Sequence, residues 1–209
     1  MSILRKNINA LIESHKLNNE GKINKNFLMP LILSMIVNFC GIDQSKYHIL
    51  ASYGIRAIKQ IGDLDINMEE KEWKKLEKSG MGKAGIYNNQ LRYFIELPEV
   101  SDDAEMEIFS KKTTEGFPDP SFSHKSLQPM LLVDQFGHHY YHVDTLVRWK
   151  QIVHRDKDES ALKLMHKEIK ALSKENTESS DVKLLTLGLR TKSEIKSTLK
   201  NIEKILENW

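Results

Sequence analysis

Cysteine is almost missing from this chain: Cys40 is the only one in 209 residues. That excludes a disulfide framework and suits a reducing compartment. Lying in an apolar run, Cys40 reads as a small buried thiol, neither nucleophile nor ligand. A dominant charge is also lacking. Lys and Arg total 31 against 29 Asp and Glu, a formal charge of +2, so no overall field demands a polyanionic partner. Long hydrophobic runs are absent too. The most apolar stretch, Phe27 to Cys40, falls short of the roughly 20 residues a membrane span requires. It predicts a buried helix with Asn26 as cap and Pro30 in the first turn. The opening MSILRKNINALIESHK has no uninterrupted apolar core of the secretory kind. The expectation is a cytoplasmic protein without a membrane partner, and no internal repeat is visible.

What is present, about 40% apolar residues over this length, can bury one core. Ile3, Leu4, Ile8, Leu11 and Ile12 follow helical spacing and predict an amphipathic helix over Ile3–His15. Tyr47–Ala51 reads as a strand turning into a helix at Ser52 and Gly54. In Ile61–Met68, Asp63, Asp65 and Asn67 alternate with Leu64, Ile66 and Met68, the period of a strand with its polar set on one face. A surface helix with Trp73 and Leu76 inward follows, stopped by Gly80 and Gly82. Strands are expected at Leu91–Leu97 and Ala104–Phe109, and a long loop at Thr113–Pro129.

Asp144 is placed to cap a helix with apolar face Leu146, Trp149, Ile152 and Val153. Leu162–Leu172 continues helical, and polar Ser173–Asp181 reads as a linker. Thr191 to Glu194 is a capping-box pattern opening a tail helix striped with Ile195, Leu199, Ile202, Ile205 and Leu206. The expected fold class is α+β, a small mixed sheet flanked by helices. Residues 1–172 form the main domain, 173–181 the linker and 182–209 a helical extension. The first and tail helices offer surfaces for a homodimer, or else cover the sheet of one chain.

Asp63 and Asp65, two apart on a strand, point the same way, roughly 6 to 7 Å apart at the backbone. Such a pair is a platform for magnesium, which takes hard oxygen ligands and keeps open positions for water and phosphate. A two-metal site normally needs a third carboxylate from a neighbouring strand. Glu105 and Glu107 are the candidates, with Glu107 favoured because Met106, Ile108 and Phe109 embed it in apolar sequence. The competing reading makes both the solvated face of an edge strand.

Ala51-Ser52, followed by Asp63-Leu-Asp65-Ile, resembles the signature of the DNA polymerase beta-type nucleotidyltransferase superfamily: a Gly-Ser or Gly-Gly pair ahead of a hydrophobic-flanked Asp-x-Asp. Ala51 departs from the usual glycine. The resemblance implies that the pair opens a helix whose free amides meet the triphosphate, with the Ser52 hydroxyl donating and Arg56 joining the nucleotide contacts. A late segment, Lys150 through Arg155 and Lys157 to Asp158, resembles the family's Lys-x4-Arg-x-Lys-Asp helix. It implies phosphate contacts from Lys150 and Arg155, whereas spacing alone also allows Arg155 and Asp158 to be a pair at a helix junction. Implied with these are two magnesium ions, or manganese in their stead, on Asp63, Asp65 and the third carboxylate. A nucleoside triphosphate such as ATP is the implied donor. The acceptor, whether small molecule, RNA end or protein side chain, is open.

Two further readings compete. His138, His139 and His142 lie close together, but no cysteine or acidic motif completes a zinc set, and lining of a surface or acceptor pocket is the expected role. A non-catalytic module of the same fold is the other class of function. Lys71–Lys78 and Lys163–Lys174 carry both charge signs and read as solvated helix faces.

Overall fold

The computed structural model describes residues 3–87, 90–110 and 130–209; the expected loop Thr113–Pro129 lies outside them. The described chain is α+β, with seven strands and seven α-helices. Two helices come first, α1 (Ile3–Asn18) and α2 (Lys25–Cys40). The short strand β1 (Tyr47–Ile49) leads through a five-residue 3-10 helix, Ala51–Ile55, to β2 (Leu64–Met68). Helix α3 (Glu70–Lys78), β3 (Lys83–Tyr87), β4 (Gln90–Glu96) and β5 (Glu105–Ser110) follow. Strands β6 (Leu131–Val133) and β7 (His139–Tyr141) precede four helices: α4 (Val143–Val153), α5 (Asp156–Glu175), α6 (Glu178–Leu187) and α7 (Lys192–Leu206).

All seven strands join one mixed sheet in the order β3-β4-β5-β2-β1-β7-β6. The β2–β5 and β1–β7 pairs are parallel and the rest antiparallel. Alternation divides its residues between two cores. Tyr47, Ile49, Leu64, Ile66, Met106, Ile108 and Ile95 are buried with Leu4, Ile8 and Ile12 of α1 and the apolar residues of α2. Helix α2 buries Leu28, Met29, Pro30, Ile32, Leu33, Ile36 and Val37, while Phe27 and Phe39 stay exposed. On the opposite face, Leu50, Phe109 and Tyr141 pack with α4, α5, α6 and α7. No helix among the described residues is long and apolar enough to cross a membrane.

Several local expectations are corrected. Helix α2 starts at Lys25, after Asn24, so Asn26 is inside it and Pro30 is beyond the first turn. The Asn26 side chain instead donates to the carbonyls of Arg56 (2.7 Å) and Lys59 (3.2 Å) and accepts from the Ile61 amide (2.8 Å). This amide, with both donor and acceptor, pins the turn leading into β2. His142, not Asp144, caps α4, its Nδ1 accepting from the Asp144 amide at 3.1 Å. Residues 173–181, expected to be a linker, are largely helical: α5 runs to Glu175, and α6 begins at Glu178 behind a Thr177–Ser180 capping box. Their polarity reflects an exposed helix junction, with Asn176 turning the chain at φ 51°.

Gly54, in the 3-10 helix, has no room for a side chain. A Cβ there would stand 2.5 Å from Leu146 Cδ1 and 2.6 Å from the Tyr141 carbonyl oxygen. Gly54→Ala is expected to cost about 2 kcal/mol by overpacking, read as a lower urea midpoint with unchanged slope.

Candidate active site

Strand register assembles the carboxylates. In the parallel β2–β5 pair Asp65 stands opposite Glu107, and Asn67 opposite Phe109. Antiparallel β4 adds Phe94 beside Glu107 and Arg92 beside Phe109, while β1 adds His48 beside Asn67. Side chains alternate across a sheet, so Asp65, Glu107, Asn67, His48 and Arg92 share the face away from the α1–α2 core. Strand β5 is internal, between β4 and β2. Glu105 and Glu107 therefore do not form the solvated face of an edge strand.

Asp63 lies exposed one residue before β2, and Asp65 is partly buried. Burial, the neighbouring charges of Asp63 and Glu107, and a hydrogen bond with Glu107 push the Asp65 carboxyl up to about 7, with Arg92 opposing. Glu105 is also held above the ordinary glutamate range, by burial and then by Glu107 and Asp63. Too much negative charge is concentrated here for every group to ionise freely near neutrality. Arg92, largely buried, forms an ion pair with Glu107, and its guanidinium carbon lies 4.7 Å from the centre of the Phe109 ring. The Asn67 Oδ1 is buried with no hydrogen-bond partner among the described residues.

Hard carboxylate oxygens, a shortage of positive charge and an unsatisfied amide oxygen fit a divalent cation of the magnesium class. Asp63, Asp65 and Glu107 are the residues that would hold it, with Glu105 beside them. Among the described residues no three carboxylate, imidazole or thiol groups converge as a ready-made ligand set. Open positions for water and phosphate are what magnesium usually retains.

The residues expected to meet phosphate fare differently. The Leu50 amide donates to the Asp65 carbonyl at 2.7 Å, which sets the backbone of Ala51 and Ser52 beside the carboxylate strand. The expected helix there is only the five-residue 3-10 turn, too short to sum many peptide dipoles. Arg56 does not join the carboxylates. Its guanidinium lies over the rings of Tyr53 and Tyr140, 4.1 and 4.2 Å from their centres, and Nη1 donates to the Tyr53 carbonyl at 3.1 Å. Both tyrosines belong to the core on the sheet's other face, so this stacking, worth roughly 1 kcal/mol or more for a desolvated cation, draws Arg56 away.

Lys150 and Arg155 are likewise engaged. Lys150 Nζ stands 2.8 Å from Asp158 Oδ1 and Arg155 Nε 2.7 Å from Oδ2. Asp158 is only 1% exposed. Burial works to raise its carboxyl, but the hydrogen bonds from Arg155 and Lys150 hold it below the ordinary range. Burial lowers the Lys150 amine despite its partner. Of the two readings of Arg155 and Asp158, the helix-junction pair is the one observed: Arg155 is the N-cap of α5 and Asp158 its third residue.

His138 and His142 serve packing and capping. His138 is fully buried, with Nδ1 2.5 Å from the Tyr47 hydroxyl and Nε2 2.9 Å from the Pro30 carbonyl. Burial lowers its pKa. His142 Nε2 lies 3.0 Å from the Gly188 carbonyl. Sequence reasoning missed Arg92 and His48, and read Asn67 only as part of the polar face of β2. Arg92 had one available signal, a lone cation in the apolar strand Leu91-Arg-Tyr-Phe-Ile. His48 lies 3.2 Å from the Tyr141 hydroxyl, a contact that only the β1–β7 pairing creates.

Two outcomes follow from these charges. An unfolded aspartate ionises near 4, whereas Asp65 in the fold does so at about 7. Its favourable contribution is complete below about pH 4 and lost as pH rises through about 7. Asp65→Asn is therefore expected to be more stable than wild type at pH 8, by on the order of 3 kcal/mol, with the advantage vanishing in thermal melts near pH 4. Asp158→Ala leaves Lys150 buried without its counter-charge and is expected to cost about 3 to 5 kcal/mol, measured by urea unfolding at pH 7. Set against protein-family models, curated proteins and solved structures, the chain gives no match, so the reading of this site rests on its own residues.

Proposed function

We propose that the protein is a metal-dependent nucleotidyltransferase with a polymerase beta-type core, moving a nucleoside monophosphate from a triphosphate to an acceptor hydroxyl. The observation that carries this reading is the in-register pair Asp65–Glu107 on two central parallel strands, with Asp63 exposed at the mouth of β2 and Asp65 raised to about 7. Adjacent to it runs the Ala51–Ser52 backbone, tied in by the Leu50 to Asp65 hydrogen bond.

In the reaction the acceptor oxygen bonds to the α-phosphorus while the bond to the bridging oxygen of the β-phosphate breaks, and pyrophosphate leaves with that electron pair. Divalent ions, when bound, neutralise the triphosphate and stabilise the charge that builds on the departing oxygen. Asp63, Asp65 and Glu107 are the chain's own residues that would hold those ions. A carboxylate beside the acceptor would take its proton as general base, and Glu107, the third carboxylate of the cluster, is the candidate. Arg92 fixes the Glu107 rotamer and limits the repulsion within the cluster.

A second reading, a nucleotide- or partner-binding module without catalysis, draws on the same Arg92. Its guanidinium already partners Glu107, as an internal counter-ion would in a site no longer needing metal. Lys150 and Arg155, bound to Asp158, also contribute less positive charge than phosphate transfer usually recruits.

The deciding experiment incubates the protein with each α-labelled nucleoside triphosphate, magnesium or manganese, and pooled RNA and metabolite extract. Label transfer is expected to need metal and to drop by at least ~100-fold in the Asp63→Ala, Asp65→Ala variant, the scale of losing a principal charge-stabilising group. No transfer, with nucleotide binding retained, favours the module.

A further inference from the structure

Helices α4 and α7 enclose a groove of about 610 Å³ lined by Arg148, Lys200, Lys204, Ser197, Asn201 and Asp144. A second hollow of about 470 Å³ continues along α7, sharing Asn201 and Lys204 and adding Gln151 and His154. At that end the His154 ring stacks on Trp209, centroids 4.0 Å apart and planes at 25°. We propose that this groove binds the phosphodiester backbone of a single-stranded nucleic acid. On the transferase reading above, on which this last step rests, that strand is the acceptor.

Charge distribution carries the assignment. Among the described residues no carboxylate pairs with Arg148, Lys200 or Lys204, whereas the acids of the two helices are engaged elsewhere. Glu203 stands 2.8 Å from His166 Nε2. Glu194 accepts from the amides of Arg190 and Thr191, both at 2.8 Å. Asp144, the one acid lining the groove, accepts from the Thr198 hydroxyl at 2.6 Å. Lys192, Lys196, Lys200 and Lys204 recur every fourth residue of α7, which puts successive lysines on neighbouring parts of one helix face. A chain with nearly balanced charge thus gathers uncompensated cations along a trough, floored in part by Met130, that ends at an aromatic pair. Cationic grooves with stacking surfaces are how single strands are held without sequence readout.

The test is fluorescence anisotropy of the whole chain with a labelled single-stranded RNA of mixed sequence. Three phosphate contacts predict a log–log salt slope of about −2, at ~0.7 for each. The triple reversal Arg148→Glu, Lys200→Glu, Lys204→Glu is expected to weaken binding by at least ~10-fold. Neutral Lys200→Gln, Lys204→Gln should weaken it by less, and provides the answer if the reversal does not fold. A charge-matched control, Lys6→Glu, Lys22→Glu, Lys78→Glu, should stay close to wild type. Failure of wild type to bind RNA, equal weakening in the control, or a reversal that abolishes only binding to phosphatidylserine vesicles would overturn the proposal. Intact RNA binding by the wild-type chain without nucleotide transfer would count against the transferase reading alone.

Discussion

Parallel pairing of β2 with β5 is the constraint on which the candidate site depends. It sets Asp65 against Glu107 at the centre of a seven-stranded sheet, where both carboxylates are partly buried. Leu64, Ile66, Met106 and Ile108, the alternate residues of the same strands, lock that register by filling the opposite core. A slip of one residue in either strand would drive carboxylates into that core and its apolar residues out. The acidic cluster is thus held in place by hydrophobic burial on the other side of the sheet.

Holding two carboxylates together costs stability, and the fold moderates the cost in two ways. Arg92, projected from β4, brings a guanidinium to Glu107. Asp65 takes up a proton more readily than an exposed aspartate does. Groups kept in an unfavourable charge state by rigid neighbours are typical of places where chemistry occurs. The Lys150–Asp158–Arg155 cluster obeys different logic. There one buried carboxylate meets two cations, the charges are matched, and the result is a firm joint between α4 and α5.

The elements around the carboxylates were legible in the sequence because their signals are local. Alternation of Asp63, Asp65 and Asn67 with apolar residues marks β2, and helical spacing of Leu4, Ile8 and Ile12 marks α1. The Thr191–Glu194 box marks the start of α7. Strand β3 escaped notice because Lys83-Ala-Gly-Ile-Tyr87 has no alternating face to read, its place being set by pairing with β4. Residues 173–181 read as a linker because polarity alone does not separate a loop from two exposed helix ends. Arg56, expected among the nucleotide contacts, stacks on Tyr53 and Tyr140, toward the sheet's other face, a placement that no local pattern records.

By itself the sequence determined the α+β class, the placing of Asp65 and Asn67 on one face of β2 and the embedding of Glu107 in an apolar strand, since period and burial preference are properties of neighbouring residues. Tertiary structure alone decided that Glu107 stands opposite Asp65, that Arg92 joins it while Lys150 and Arg155 turn to Asp158, and that lysines of α7 meet Arg148 in one groove. Those partners are separated by tens of residues, and which of them meet depends on strand order and helix packing, which no local pattern records.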